Sequence, residues 1–450
     1  MAMVTPPPTG RLSGSMIAAL CAAILVFDGY DVSVFATTIP ALLDYRPWGL
    51  DAADLGAIAS LALVGMLIGS LLCGFATDLL GRKLMLMAST GWFSACMVVC
   101  ALAPTIEVFG LFRFLAGVGL GGVMPTAIAL AVEFAPRERR NLVNAILTAG
   151  FLIGTLVAAL LGIVVIEAFG FRPMYAIAAL PLLVLPVAWF MLPESVEFLV
   201  SKRRLGEAQA VARKYGLDVP AADDERVTAA HGAGRSSLRA LAKPPLPAAL
   251  VVFGIGGLVV QLFIYGLNTW LPQLMRMAGY PLGSALSFLA TMCVGAILGG
   301  LVMSWFADRI RPKRVALAGF GIGVVALVIL SAGPPTPVLY LGVALAGVGG
   351  SGTAAILNGY VATWFPAAVR ASALGAYMTI GRLGGILAPL AGGWIVASGL
   401  PVAWTFYTLM VPTVLGVLVV LLMPDGAARG DEHAAATGTG PTTAPLNEAL

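Results

Sequence analysis

Two acidic residues lie in an otherwise apolar stretch near the start of the chain. Asp28 and Asp31 belong to the segment FDGYDVSVF, and their spacing places both carboxylates on one face of a helix. Two nearby carboxylates in a medium of low dielectric constant cannot easily both ionise, so they titrate in coupled steps. We therefore predict that the pair couples protons to the function of the protein. The alternative is a buried ion pair that only fixes helix packing.

Two arginines lie in similarly apolar surroundings. A charge at the centre of a bilayer costs about 3 kcal/mol or more, so each one needs a partner or a function. Counting helical rise places Arg113 at the depth of the two aspartates, with which it could pair. Arg382 falls near the midplane, where its planar guanidinium is predicted to bind a substrate carboxylate at two points. Backbone carbonyls or water could neutralise Arg382 instead.

Uncharged polar side chains complete the predicted substrate-binding set. Gln261, Tyr265 and Asn268 follow an i, i+4, i+7 pattern and form one polar stripe on a helix. Asn358 and Tyr377 are further candidates on later helices. Each of these residues could equally serve only to hold neighbouring helices together.

Membrane-spanning helices must position these side chains. The chain is 59% hydrophobic and 11% charged, whereas soluble domains carry about 25% charged residues. Apolar runs of roughly 20 residues match the hydrocarbon core of a bilayer. The sequence predicts an all-α membrane protein with twelve spans, at about 15–40, 55–77, 84–103, 107–132, 142–165, 173–192, 248–272, 283–306, 314–332, 337–363, 371–397 and 402–423.

The two halves of the chain repeat one another. The segment GFATDLLGRK, residues 74–83, returns as SWFADRIRPK, residues 304–313. The same offset of 230 residues relates Asp78 to Asp308 and Pro136 to Pro366. A constant offset indicates a duplicated unit of six helices, and transporters built from such repeats hold substrate between the halves.

The duplication divides the chain into four predicted parts. A six-helix bundle occupies residues 1–192, a central loop residues 193–246 and a second bundle residues 247–424, with a disordered tail over residues 425–450. Basic residues concentrate in alternate loops, so the positive-inside rule places the central loop and both termini in the cytoplasm.

Several motifs resemble those of the major facilitator superfamily. The stretch GFATDLLGRK is similar to the loop signature G-x-x-x-D-R/K-x-G-R-K, with Leu79 in place of the usual basic residue. Arg113-x-x-x-Gly117-x-Gly119 is similar to the helix 4 motif, and LPESVEFLVSKRR resembles the segment that follows helix 6. The resemblance implies two pseudo-symmetric six-helix bundles.

The charged loops are predicted to act as a conformational switch. Such charges would bridge helices in one state and separate in the other, although ordinary membrane topology could also explain them. The predicted switch residues are Gly74, Asp78, Gly81, Arg82, Lys83, Glu133, Asp308 and Arg309.

The opening motif narrows the resemblance to one family. The DGYD element, together with TWLPQLM (269–275) and GRLGGILAPLAGG (381–393), resembles the aromatic acid:proton symporters. That resemblance implies uptake of benzoates and hydroxybenzoates with protons. The Gly-Pro pair of the antiporter signature is absent from the predicted fifth helix.

The sequence therefore predicts a monomeric secondary transporter of the inner membrane that imports an aromatic acid anion with protons. No nucleophile–base pair or metal cluster appears within the predicted spans, and no Gly-rich loop resembles a nucleotide site, so we predict no enzyme activity or cofactor. The basic loops explain the net charge of +4, so we predict no nucleic-acid partner. The alternatives are a transporter of a non-aromatic organic acid, an exporter, and a membrane sensor that binds ligand without net transport.

Overall fold

The structure is a computed structural model that describes residues 14–217 and 240–424. The predicted disordered tail, residues 425–450, and much of the central loop lie outside the described residues.

The first half of the chain folds into seven helices that make six spans. Helix α6 ends at Ala178 and α7 resumes at Pro181 within the sixth span. The helices are α1 (Gly14–Asp44), α2 (Ala52–Leu80), α3 (Arg82–Leu102), α4 (Ile106–Glu133), α5 (Arg140–Phe169), α6 (Arg172–Ala178) and α7 (Pro181–Met191).

Two short helices follow, where the sequence analysis predicted only a loop. They are α8 (Val196–Ser201) and α9 (Leu205–Tyr215). Ala208 and Ala212, one turn apart on α9, are buried against α8. Tyr215 packs edge-on against Phe134 beyond the end of α4, with ring centroids 5.0 Å apart. The start of the central segment is therefore folded onto the first bundle.

The second half supplies the other six spans. The tenth span of the chain contains a π-helical segment, Val348–Gly352, between two α-helices. Such segments mark local irregularities in a helix. The helices are α10 (Leu246–Met277), α11 (Leu282–Ala307), α12 (Pro312–Ser331), α13 (Thr336–Gly347), α14 (Thr353–Trp364), α15 (Ala367–Ala397) and α16 (Val402–Leu422).

The predicted fold class is confirmed. Within the described residues twelve helices are long and apolar enough to cross a membrane. At most helix termini, their bounds agree with the predicted spans to within a few residues. The agreement arises because the spans were predicted from apolar runs as long as the bilayer core is thick.

Close backbone contacts hold the helices within each bundle. A Cβ atom on Gly69 of α2 would lie 1.9 Å from the Val118 carbonyl oxygen of α4. A Cβ atom on Gly295 of α11 would lie 2.2 Å from the Ala344 carbonyl oxygen of α13. Small residues at helix contacts let backbones approach in this way, so larger side chains would force these helices apart.

The two halves meet mainly through three helix pairs. Helix α2 packs against α15, α5 against α11, and α1 against α10. We call the end of the bundle that carries the loops after α2 and α11 the basic end, and the other end the opposite end. The candidate site lies between the halves, where α1, α2 and α4 face α10 and α15.

Candidate transport site

A buried ion pair links α1 and α4. Nη1 of Arg113 donates to Asp31 Oδ1 at 3.1 Å and to Oδ2 at 3.3 Å. The Asp31 residue is fully buried and Arg113 is 4% exposed. The guanidinium also lies over the Phe35 ring, 5.4 Å from its centroid, where the ring face attracts a cation. The pairing of Arg113 with an aspartate of α1, which was predicted from the depth of these residues along their helices, is therefore present.

Asp28 has different surroundings from Asp31. It is 1% exposed, and its Oδ1 has no hydrogen-bond partner within the described part of the chain. Its backbone is fixed, because a Cβ atom on the neighbouring Gly29 would lie 1.8 Å from the Phe151 carbonyl oxygen of α5. Thr155 donates to the Gly29 carbonyl at 3.2 Å. One carboxyl of the pair is thus bound to a cation and the other is not.

A cavity lies between the halves beside the ion pair. Asp31 and Arg113 form part of its wall, Tyr265 and Asn268 of α10 line it from the other half, and most of the remaining lining is apolar. Apolar walls with few polar groups are typical of small-molecule sites. The lining residues are Asp31, Val32, Phe35, Ala36, Ala59, Ala62, Leu63, Met66, Arg113, Gly117, Leu120, Tyr265, Asn268, Thr269 and Pro389.

Arg382 lies on α15 and reaches across to the first half. Its Nη1 donates to the hydroxyl of Ser70 on α2. Across residues 14–217 and 240–424, no carboxylate forms a salt bridge with it. The side chain is half-buried. Arg382 is therefore a cation whose protein partner is a neutral hydroxyl.

Tyr265 connects these groups. It lies near both Arg382 and Asp28, and a Cβ atom on Gly385 of α15 would lie 3.0 Å from its ring. Its helix, α10, packs against both α15 and α1, which carry these two residues.

Arg382 does not line this cavity, and three other predicted substrate-binding residues do not line it either. Gln261 lies at the contact of α10 with α15, beside Gly381. Tyr377 is 4% exposed and belongs to the apolar core of the second bundle. Asn358 is half-buried on α14. Of the uncharged residues in the predicted set, Tyr265 and Asn268 line the same cavity as the ion pair.

A charged cluster forms at the basic end of the first bundle. Arg82 contacts Glu133 at 2.8 Å and Glu197 at 2.6 Å. The backbone N–H of Lys83 donates to Glu194 Oε1 at 3.1 Å. Gly81 has a φ of +99°, and a Cβ atom there would lie 2.5 Å from Glu194 Oε2. The cluster joins the loop after α2 to the end of α4 and to α8.

The remaining predicted switch residues do not join this cluster. Asp78 and Asp308 are exposed and form no salt bridge with any described residue. A Cβ atom on Gly74 would meet open space. Arg309 stacks on Trp305, 3.6 Å from the ring centroid. The two copies of the loop motif are therefore built differently.

Contacts at the opposite end join the two halves. Arg276 of α10 donates to Asp44 of α1 at 2.5 Å and to the Pro40 carbonyl at 3.4 Å. Ser60 of α2 donates to the Ile386 carbonyl of α15 at 2.7 Å. Sequence analysis missed this ion pair, whose two residues are 232 positions apart in the chain.

Residues of the same helices near the basic end have free space around them. A Cβ atom on Gly375 of α15 would meet no atom within 4 Å, and neither would one on Gly74 of α2. Leu142 of α5 and Leu301 of α11 are exposed. The described contacts between the halves therefore lie mostly toward the opposite end.

Comparison with known proteins identifies the family. Residues 21–299 and 284–449 match the model of the Major Facilitator Superfamily. The chain belongs to the major facilitator superfamily. Members of this superfamily are transporters rather than enzymes, and the chain is a multi-pass membrane protein.

Several curated superfamily members resemble the chain over most of its length. The benzoate transport protein of Acinetobacter baylyi is 32% identical over 96% of this chain and 94% of its own. The gentisate transporter of Corynebacterium glutamicum is 34% identical over 92% and 88%. The 4-hydroxybenzoate transporter of A. baylyi is 30% identical over 95% and 92%. The predicted family resemblance is confirmed.

Solved structures of superfamily members have the same fold. A partially occluded inward-open structure of the E. coli xylose transporter matches with a TM-score of 0.71 at 17% identity, covering 90% of this chain and 96% of the other. The inward-facing unoccupied structure of a bacterial homologue of the human lysosomal transporter Spinster matches with a TM-score of 0.68 at 18% identity, covering 91% and 95%.

Proposed function

We propose that this transporter imports an aromatic carboxylate of the benzoate and hydroxybenzoate class in symport with protons. Relatives named for benzoate, gentisate and 4-hydroxybenzoate support the substrate class. The observation that carries the proposal is Arg382, a half-buried cation between the halves whose hydrogen-bond partner among the described residues is a neutral hydroxyl.

A substrate carboxylate supplies the anion that Arg382 lacks. Guanidinium and carboxylate groups form two parallel hydrogen bonds, which fix orientation as well as charge. The apolar cavity wall beside Tyr265 and Asn268 suits an aromatic ring. Gln261, Asn358 and Tyr377 belong to the proposed site as residues that shape or contact it in another state, and Arg113 acts from its wall.

The proposed proton route uses the two aspartates. Asp31 is held by Arg113, whereas no cation within residues 14–217 and 240–424 forms a salt bridge with Asp28. An ionised carboxylate without water or a cation is costly in a protein interior, so Asp28 binds and releases a proton as its surroundings change. One monoanion carried with one proton moves no net charge across the membrane. A second proton would add about 2.3 kcal/mol per 100 mV of membrane potential to the driving force for uptake.

The arrangement of contacts between the halves supports transport by alternating access. We place the basic end in the cytoplasm, with both termini, and the protein in the inner membrane as a monomer. The described state then faces inward. The bundles at 1–192 and 247–424 rock about the central site. Asp78 forms its bridges when the cytoplasmic end closes, whereas Arg82 already bridges Glu133 and Glu197 in the described state.

Counterflow in proteoliposomes tests the substrate assignment. Vesicles preloaded with unlabelled compound are diluted into labelled benzoate, and the panel comprises benzoate, 4-hydroxybenzoate, gentisate, hexanoate and benzamide. We expect the aromatic acids to exchange, and benzamide, which lacks the carboxylate, to fail. Exchange of benzamide as fast as benzoate, or no exchange of any aromatic acid, would overturn the proposal.

A substitution in the same assay tests the proposed role of Arg382. Arg382→Lys keeps the charge but loses the planar two-point fork. We expect benzoate binding to weaken roughly tenfold or more at every pH. Unchanged affinity in this variant would remove Arg382 from the substrate site.

A further inference from the structure

We propose that Ser70 is a positioning residue that holds Nη1 of Arg382, so that the other edge of the guanidinium meets the substrate carboxylate. This inference rests on the proposed role of Arg382 in substrate binding. Ser70 belongs to α2 of the first half, whereas Arg382 belongs to α15 of the second.

The hydroxyl of Ser70 is oriented as an acceptor. It donates its single proton to the Leu67 carbonyl at 2.9 Å. A serine hydroxyl has one proton and two lone pairs, so the oxygen can then only accept from Arg382 Nη1, as it does. The arrangement satisfies the donor and an acceptor position of the hydroxyl.

Both backbones behind this contact are fixed by close packing. A Cβ atom on Gly121 of α4 would lie 2.6 Å from the Ser70 nitrogen. A Cβ atom on Gly384 of α15 would lie 2.0 Å from the Leu258 carbonyl oxygen of α10. Neither Ser70 nor the helix that carries Arg382 can shift freely, so the hydrogen bond sets where the guanidinium points.

The bond leaves the carboxylate-binding edge available. A guanidinium has five N–H donors in a planar fork, and Ser70 accepts from Nη1 alone. The Nε–Nη2 edge can still bind a carboxylate bidentately. A flexible arginine must lose rotamer freedom on binding, and prior fixation lowers that cost. Ser70 therefore raises substrate affinity without touching the substrate.

Direct binding of labelled benzoate to the purified full-length transporter tests the inference. Ser70→Ala should weaken binding three- to tenfold, raise KM by the same factor and leave kcat within about twofold. Ser70→Thr, which keeps a hydroxyl, should stay within about twofold of the original. Alanine is a better helix former than serine, so the variant should fold, and its thermal midpoint checks this.

Ser60→Ala is the matched control. Ser60 lies on the same helix and forms a hydrogen bond across the halves as a donor, to the Ile386 carbonyl, but its hydroxyl is not bonded to Arg382. Its loss should not weaken benzoate binding. Equal weakening by both alanine variants would show that any lost bond between the halves has this effect, and would overturn the positioning role.

A double-mutant cycle separates this inference from the proposed function. If Ser70 acts through Arg382, Ser70→Ala should have little further effect in the Arg382→Lys background. Full additivity, or no effect of Ser70→Ala alone, overturns the role of Ser70 while leaving Arg382 in place. Normal binding by Arg382→Lys itself would instead overturn the proposed function.

Discussion

Arg113 bonds to Asp31 and leaves Asp28, one helical turn away, without a cationic partner in the described part of the chain. The distance from Arg113 Nη1 to Asp31 Oδ1 is 3.1 Å, and Oδ1 of Asp28 has no partner among residues 14–217 and 240–424. Two acids that appear equivalent in the sequence therefore have different environments, and their substitutions should have different consequences.

Asp28→Asn should abolish accumulation while preserving exchange. The amide imitates a permanently protonated acid and leaves the Asp31–Arg113 pair intact. Exchange requires no net proton release, so counterflow of benzoate should stay within a few-fold of the original. Uptake driven by a proton gradient should fall at least tenfold. Full gradient-driven accumulation by this variant would exclude Asp28 as the coupling acid.

Asp31→Asn should instead destabilise the protein. The substitution leaves Arg113 buried without a counter-charge, and breaking a buried pair from one side costs about 3–5 kcal/mol. Thermal unfolding in detergent should show a clearly lower midpoint than for Asp28→Asn. A double variant, Asp31→Asn with Arg113→Gln, should recover part of the loss. Equal midpoints for the two single variants would contradict the assigned pairing.

Breaking the ion pair at the opposite end should move the population toward the outward-open state. Arg276 and Asp44 join the halves at 2.5 Å, and the side chain of Asp44 is 64% exposed. Partly exposed pairs contribute about 0–1 kcal/mol, so Asp44→Asn should shift the ratio of states by up to about fivefold. Spin labels at positions Arg46 and Leu400, one in each half, report the distance between the halves at the opposite end.

The control for this prediction is Arg172→Gln. Arg172 also lies at the opposite end, but it bonds to the Ala101 and Ala103 carbonyls within its own half. Its loss should leave the label separation unchanged. An identical shift in both variants would show that the effect does not depend on the bridge between the halves.

Gly393→Val should block closure of the opposite end. A Cβ atom there would lie 2.6 Å from the Ala52 carbonyl oxygen and 3.1 Å from the Gly56 Cα across the halves. The closed contact cannot accommodate a valine, so the same spin labels should report a longer separation and benzoate transport should fall. Gly375→Val, on the same helix, meets open space and should leave the separation unchanged.

Asp78→Asn should slow transport with little change in affinity. Asp78 is exposed and forms no salt bridge with any residue that the structure describes, so we expect its bonds to form in the other state. Loss of the charge should alter the exchange between states and leave the site intact. We expect benzoate affinity within a few-fold and a turnover reduced at least tenfold. Complete loss of binding in a folded variant would place Asp78 in the site.

Much of the fold was predictable because the bilayer sets a length scale. Apolar runs of about 20 residues must be spanning helices, and counting 1.5 Å per residue brought Arg113 to the level of the aspartates. The rotation of each helix about its own axis, which decides which side chains meet, was harder to predict. Asp28 and Asp31 differ by one turn on the same face, so the sequence could not choose which one meets the arginine.

Contacts between distant segments lay beyond the reach of sequence patterns. Asp44 and Arg276 are loop charges 232 residues apart, and nothing local to either one predicts the other. Ser70 is an ordinary small residue in a helix until α15 places Arg382 against it. Helices α8 and α9 were missed because their apolar positions are few and their surroundings are basic.

Proton-driven uptake of labelled benzoate into proteoliposomes tests the central claim most directly. The vesicles are prepared with an alkaline interior and diluted into acidic medium, with and without a protonophore that collapses the gradient. We predict that benzoate accumulates several-fold above the level of protein-free vesicles, that the protonophore abolishes this excess, and that Asp28→Asn lacks it while still exchanging substrate. Protein-dependent accumulation that survives collapse of both the proton gradient and the membrane potential would contradict symport with protons.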